Sequence, residues 1–221
     1  QDNVDITPED IFQRYYEKKV LPKTAAINVE EYVNYFRPFV EQGYEVVHLN
    51  LGSALSSAHQ NCMLAARELK GVYPVDSGNL STGIGHLVLD AGEMISDGMG
   101  AEEIAERLKE RKSRVHSSIE VNNQDGSMDV GKKYRGSLKK VLPLYVKDKL
   151  QEYGEISRDK IFITHSGIDQ EYIELVRKTI QEEIKFQNIY VTRASCTISC
   201  HCGPNTLGIL FETRSDGRCG S

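Results

Sequence analysis

Apolar and polar positions alternate along this chain with two different periods. Thr7-Pro8-Glu9-Asp10 reads as a helix start, with Thr7 able to cap, Pro8 at the first helical position and Asp10 near the positive end. Asn28-Val29-Glu30-Glu31 opens a second helix, in which Tyr32, Phe36, Phe39 and Val40 recur on one face until Gly43 ends it. Residues 45–51 (EVVHLNL) form one segment that reads as a buried strand. Residues 72–75 form another, ending at Asp76-Ser77. Between them a small-residue loop, 52–57, leads into a helix through 62–66. Residues 81–95 read as an apolar helix and 101–111 as a charged amphipathic one. This βαβα rhythm predicts an α/β sheet with helices on its faces.

The second half has a different pattern. Gln124-Asp125-Gly126-Ser127 suits the turn of a hairpin over 122–131. Helices are expected over 138–150 and 170–184, the latter with Ile173, Val176, Ile180 and Ile184 on one face. Strands are expected at 160–164, 189–192 and 206–211, with a polar, frayed tail from 212. The expected organisation is an N-terminal α/β lobe, residues 1–118, and a C-terminal α+β lobe, residues 119–221.

Composition narrows the function classes. A chain of 221 residues with net charge −5 has no electrostatic footprint for nucleic acid; its one dense basic patch is Lys132-Lys133-Tyr134-Arg135 with Lys139-Lys140. No apolar run reaches membrane-span length and no signal peptide heads the sequence. Five cysteines is an odd count, with three crowded at Cys196, Cys200 and Cys202, which does not suit a secreted disulfide framework. The expectation is a soluble cytoplasmic protein. The spacing C-x3-C-H-C lacks two separated ligand pairs, so small buried thiols are favoured over a zinc site. In an extended segment the three thiols would share a side. Gly83-Ile84-Gly85 is too short for a phosphate cradle and reads as helix packing.

Candidate chemistry lies in the loops. Residues 52–57 and 76–81 follow strands, where ligands collect in open α/β sheets. Ser56 and Ser57 open a helix whose free N–H groups favour an anion, although Ser56 could serve only as a cap. Thr24, after Pro22, puts a hydroxyl on a connector or caps locally. His201, beside Gly203-Pro204, is expected in a rigid turn before a strand, either showing its ring to a ligand or bonding locally. Ser56, Asp76 and His201 occur in the chain order of a hydrolase triad, but the Gly-x-Ser-x-Gly elbow is absent around Ser56, and Asp76 is expected to organise its own loop. An esterase using these three and a non-catalytic interaction module are the readings these loops leave open.

Pro22-Lys23-Thr24, Gly52-Ser53-Ala54-Leu55-Ser56-Ser57, Val75-Asp76-Ser77 with Ser81-Thr82-Gly83-Ile84-Gly85, Lys133-Tyr134-Arg135-Gly136 and the stretch from His201 through Cys202-Gly203-Pro204-Asn205-Thr206-Leu207 to Gly208 together resemble the DegV family. The resemblance implies a bacterial, two-lobed fold that binds a long-chain fatty acid between its lobes. It also implies a non-catalytic subunit, without metal or other cofactor, that serves a fatty acid kinase in phospholipid metabolism. Thr24 and Ser56 match the family's carboxylate-binding hydroxyls, Ser57 lies beside them, and His201 matches the histidine that aids presentation to the kinase. Ala25 and Ser57-Ala58 depart from the family's Thr-Ser and Gly-Thr pairs. The family's first strand has no counterpart before Gln1, and its lid with a Gly-Gly-Arg loop has none between Ser118 and Ile119.

Overall fold

The computed structural model describes residues 4–118, 120–121, 128–129, 132 and 134–215. In chain order its elements are α1 (Pro8–Lys18), α2 (Val29–Glu41), β1 (Val46–Asn50), α3 (Ala58–Glu68), β2 (Val72–Asp76), α4 (Thr82–Ser96) and α5 (Ala101–Arg111). A 3-10 turn (Lys112–Arg114), β3 (Val115–Ser117), β4 (Glu120–Val121), β5 (Met128–Asp129) and α6 (Leu138–Gln151) follow. The chain ends through β6 (Ile156–His165), α7 (Gln170–Glu183), β7 (Asn188–Arg193), α8 (Cys196–Cys202) and β8 (Leu207–Thr213). This is the mixed α/β class expected from the pattern.

Helix starts follow from local chemistry. At α1 the Asp10 N–H donates to the Thr7 hydroxyl while the Thr7 N–H donates to the Asp10 carboxylate, a reciprocal capping box. Asn28 and Glu31 repeat it at α2. Each box satisfies helix-end donors that would otherwise lack partners.

Two compact units emerge. One comprises Ala25–Val115 and Val121–Asp129, the other Gln1–Thr24, His116–Glu120 and Val130–Ser221. This differs from the expected division at 118/119, because the first 24 residues cluster with the C-terminal half. The physical reason is α1: Ile11 and Phe12 are buried against Cys196 of α8, with Leu21 and Cys200 packed beside them.

In the unit beginning at Ala25, β1 and β2 pair in parallel, Asn50 opposite Asp76, joined by α3. Helix α2 buries Tyr32, Val33 and Phe36 with Cys62 and Ala65 of α3. Leu87, Ala91 and Met94 of α4 and Ile104 and Leu108 of α5 form a second cluster with Val75.

The other unit holds a four-stranded sheet in the order β3-β8-β6-β7. β6 and β7 are parallel, with α7 between them in the chain, and β6 and β8 are antiparallel. Ile173, Val176 and Ile180, on the expected stripe of α7, are buried with Ile161, Ile163, Ile209 and Phe211 of the sheet and Val146 of α6. β8 continues to Thr213, two residues into the expected tail, and buries Glu212 and Thr213. The short strands β4 and β5 pair with each other, while the turn expected at 124–127 lies outside the described residues.

The segment around His201 departs from expectation. Residues 196–202 are helical, not extended, so Cys196 and Cys200 share a face by helical spacing, one turn apart. The apolar surface of Ile11, Phe12 and Leu21 receives both thiols, and Cys196 donates to the carbonyl of Ile6 at 3.0 Å. His201 is accordingly in the last turn of a short helix instead of in a loop.

Candidate functional site

The sequence-derived site residues fall on both units. Thr24 and His201 belong to the unit that contains α8; Ser56, Ser57 and Asp76 belong to the other.

Thr24 and His201 come together. The Thr24 hydroxyl and His201 Nε2 share a hydrogen bond of 2.9 Å, although 177 residues separate them. Both residues are exposed. Leu21, three residues before Thr24, packs into the α1/α8 cluster and anchors the connector. The far side of α8 is closed by Gly203, whose φ of +71° suits a residue without a Cβ. The Ser166 hydroxyl donates to the Gly203 carbonyl at 2.6 Å, and the Ser166 N–H donates to the Thr206 carbonyl at 2.8 Å. The Thr206 hydroxyl donates to the Cys202 carbonyl. His201 thus rides on a helix end fastened to the carboxyl end of β6. Thr24 makes this bond in place of the local cap weighed as its alternative.

In the other unit, Ser56 is half-buried and its hydroxyl accepts the Ala58 N–H at 3.1 Å, at the entrance to α3. Ser57, the residue preceding the helix, makes no side-chain cap bond. Ser56 therefore does act as a helix cap, with a lone pair and its own proton still available to a ligand. Gly52 opens this loop under tight constraint. A Cβ there would stand 3.1 Å from the Gly78 carbonyl carbon and 3.2 Å from the Asn79 nitrogen, so the loops after β1 and β2 are backbone against backbone.

Asp76 organises its own loop, as expected, and more. Its carboxylate accepts the N–H groups of Gly78 and Ser53, the Ser53 hydroxyl and the Lys112 ammonium. Burial alone would raise its pKa; the Gly78 and Ser53 hydrogen bonds and the Lys112 charge outweigh it and hold the group at about 2. A hydrolase triad would have Asp76 orient an imidazole, and would have His201 serve a serine. These partner sets lend that arrangement no support.

Several residues of the site were not legible in the sequence. Asn50, buried at the end of β1, donates to the Tyr32 hydroxyl and accepts from His59 Nδ1, tying the first turn of α3 to α2. Lys112 carried no motif, and Ser53, though inside the quoted loop 52–57, was given no role of its own. Lys112 sits just past α5, and only the folded chain shows its Nζ 3.2 Å from Asp76. Separately, a groove of about 1150 Å³ runs along β1 between α2 and α4, lined by Tyr35, Phe39, Val47, Val88 and Ile95 among others. None of Thr24, Ser56, Ser57 or His201 lines it. Among the described residues no helix is long and apolar enough to cross a membrane, and no cluster of three potential metal ligands occurs.

Comparison with known proteins agrees with this architecture. A DegV domain-containing protein of Clostridium perfringens is 27% identical over 247 residues, covering 95% of this chain and 84% of the relative. One from Caldanaerobacter subterraneus is 24% identical over 246 residues, covering 97% and 86%. Among solved structures, a fatty-acid-binding DegV family protein from Thermus thermophilus matches with a TM-score of 0.84 at 23% identity, over 96% of this chain and 86% of that one. The Fatty Acid Kinase (Fak) B3 protein of Streptococcus pneumoniae, loaded with linoleic acid, matches at 0.76 and 15% identity, over 96% and 85%. At these identities the structural likeness establishes the fold. The model of the family described as uncharacterised protein, DegV family, matches residues 1–126, more than half of the chain and the span that holds the first three of the quoted loops: this chain belongs to the DegV family.

Proposed function

We propose that this protein binds a long-chain fatty acid by its carboxylate and holds it for phosphorylation by a fatty acid kinase. The observation that carries the reading is the 2.9 Å hydrogen bond between Thr24 and His201. It joins two residues, far apart in sequence, that were both assigned to the head group. A hydroxyl and an imidazole that already share a proton can each turn to a carboxylate oxygen. A hydrogen bond to a charged group contributes about 1.5–3 kcal/mol. Ser56, the other hydroxyl assigned to the head group, stands at the entrance to α3, where the helix dipole favours negative charge. Solved relatives with this fold are described as fatty-acid-binding, and one as a fatty acid kinase B protein. In this reading the phosphoryl donor and its metal belong to the kinase, and the present chain contributes the positioned substrate.

The deciding experiment is native mass spectrometry of the protein purified from bacteria, followed by solvent extraction. A fatty acid released in near-stoichiometric amount is expected. Repeated extraction that returns none, together with no binding of added oleate, would reject the reading.

A further inference from the structure

The loop that carries Ser56 has little apolar anchorage. Ser53, Ala54 and Ser57 are exposed, and Leu55 and Ser56 are only half-buried. Packing therefore contributes little to its conformation, and polar bonds must supply the rest. Inside the loop, the Leu55 N–H donates to the Gly52 carbonyl at 2.9 Å. Gly52 is also tied outward, its N–H donating to the Asn79 carbonyl at 2.9 Å. At its far end the Ser56 hydroxyl accepts the Ala58 N–H and the Ser57 carbonyl accepts the Asn61 N–H, while the ties at Ser53 converge on one carboxylate. Asp76 Oδ1 accepts from the Ser53 N–H at 2.9 Å and the Gly78 N–H at 3.0 Å. Oδ2 accepts from the Ser53 hydroxyl at 2.9 Å and the Lys112 ammonium at 3.2 Å. Lys112 is itself held: its stem lies over Gly78, and its carbonyl accepts from the Asn79 side chain at 3.5 Å.

We propose that Asp76, clamped by Lys112, is a positioning residue that sets the backbone of loop 52–57 and through it the presentation of the Ser56 hydroxyl to a carboxylate; this rests on the fatty-acid reading above. Both oxygens of Asp76 are doubly engaged, so a neutral amide of the same shape cannot replace them. In Asp76→Asn one of the two positions becomes an NH₂ group, which would face a hydroxyl and an ammonium or two backbone N–H groups. Lys112 neutralises the carboxylate, which would otherwise repel an incoming anion at Ser56. The clamp therefore does two things for an anionic ligand: it fixes the loop and cancels a like charge.

The test has one arm without ligand and one with it. Amide hydrogen exchange of residues 53–58 is measured in wild type, Asp76→Asn and Lys112→Met. Exchange at least about tenfold faster in Asp76→Asn, with β1 and β2 amides still protected, is expected. Lys112→Met keeps three of the four donors and should show a smaller increase, so it reports on the clamp even if Asp76→Asn folds poorly. Unchanged exchange in this loop in both variants would overturn the proposal whatever the protein binds. In the second arm, oleate affinity is measured for wild type, Asp76→Asn, Ser56→Ala and the double variant. Asp76→Asn should weaken binding about tenfold when Ser56 is present and less than about twofold in the Ser56→Ala background, because its effect passes through that hydroxyl. Simply additive losses would overturn the positioning role. Failure of the wild type to bind oleate would instead reject the proposed function and leave the exchange arm to judge the clamp.

Discussion

His201 Nε2 lies 2.9 Å from the Thr24 hydroxyl, so the end of α8 and the connector after α1 share a polar contact between exposed side chains. A surface hydrogen bond of this kind contributes little to stability, about 0.5–1.5 kcal/mol at most. Its consequence should appear in ligand handling more than in the melting temperature. Thr24→Ala is expected to weaken oleate binding about tenfold and to shift the melting temperature by no more than a few degrees. Thr24→Ser, which keeps the hydroxyl, should restore most of the affinity. Equal affinity for Thr24→Ala and wild type in a calorimetric titration would remove Thr24 from the site.

His201→Ala should retain most of the affinity and lose phosphorylation. Under the proposed function the imidazole steadies charge that moves during phosphoryl transfer, an effect concentrated in the transition state. The measurement is kinase turnover at saturating loaded protein, with the folded fraction checked by melting. Turnover equal to wild type would assign His201 a purely local role at the end of α8.

Ser56→Ala should lose on two counts. Removing the acceptor of the Ala58 N–H costs about 1 kcal/mol of stability, as for other lost helix caps. Removing a hydroxyl from a carboxylate costs about tenfold in affinity. Chemical denaturation and oleate titration separate the two, and a loss of stability alone would mark Ser56 as a cap and nothing more.

Gly52→Ala tests the close approach of the two loops. Its Cβ would come within 3.1 and 3.2 Å of backbone atoms of Gly78 and Asn79, which cannot swing aside as a flexible side chain would. A destabilisation of about 1–3 kcal/mol is expected, read from the midpoint of urea unfolding. A neutral effect would mean that the loops can separate at no cost.

Acid should destabilise the fold in two stages. Burial lowers the pKa of His48, reinforced by nearby His59; burial likewise lowers His59, with Lys112 and Lys109 adding to it against the pull of Asp76. Burial and then Arg193 lower His165. The unfolded chain therefore takes up protons near pH 6.5 while the folded chain resists, so stability is lost as pH falls below that value. Asp76, held at about 2 against an ordinary 3.8, adds a second loss as pH falls from about 4 towards 2. Melting curves at pH 7.5, 6.5, 5.5 and 4.5 check the first stage. His48→Phe, which keeps an aromatic ring beside Tyr32 and Phe36, should flatten part of it. A wild-type melting temperature constant over this range would contradict the assignment.

What the sequence by itself determined is local. Thr7 with Asp10 and Asn28 with Glu31 are partners three residues apart, so the starts of α1 and α2 are written within one helical turn. The stripe of Ile173, Val176 and Ile180 likewise follows from helical period alone. The position of Asp76 at a strand end was enough to expect that it would accept N–H groups of its own loop, and Gly78 is such a donor. Tertiary structure decided the rest. Residues 196–202 are too few and too ambiguous in pattern to choose between helix and extended chain. The segment is helical, and Ile11 and Phe12, some 185 residues earlier in the chain, offer an apolar surface against which Cys196 and Cys200, one turn apart, both pack. The same packing draws the first 24 residues to the C-terminal half. Lys112 reaches Asp76 across 36 residues and Thr24 reaches His201 across 177. No periodicity encodes such pairs, because they depend on where separate elements come to rest once their apolar faces are buried.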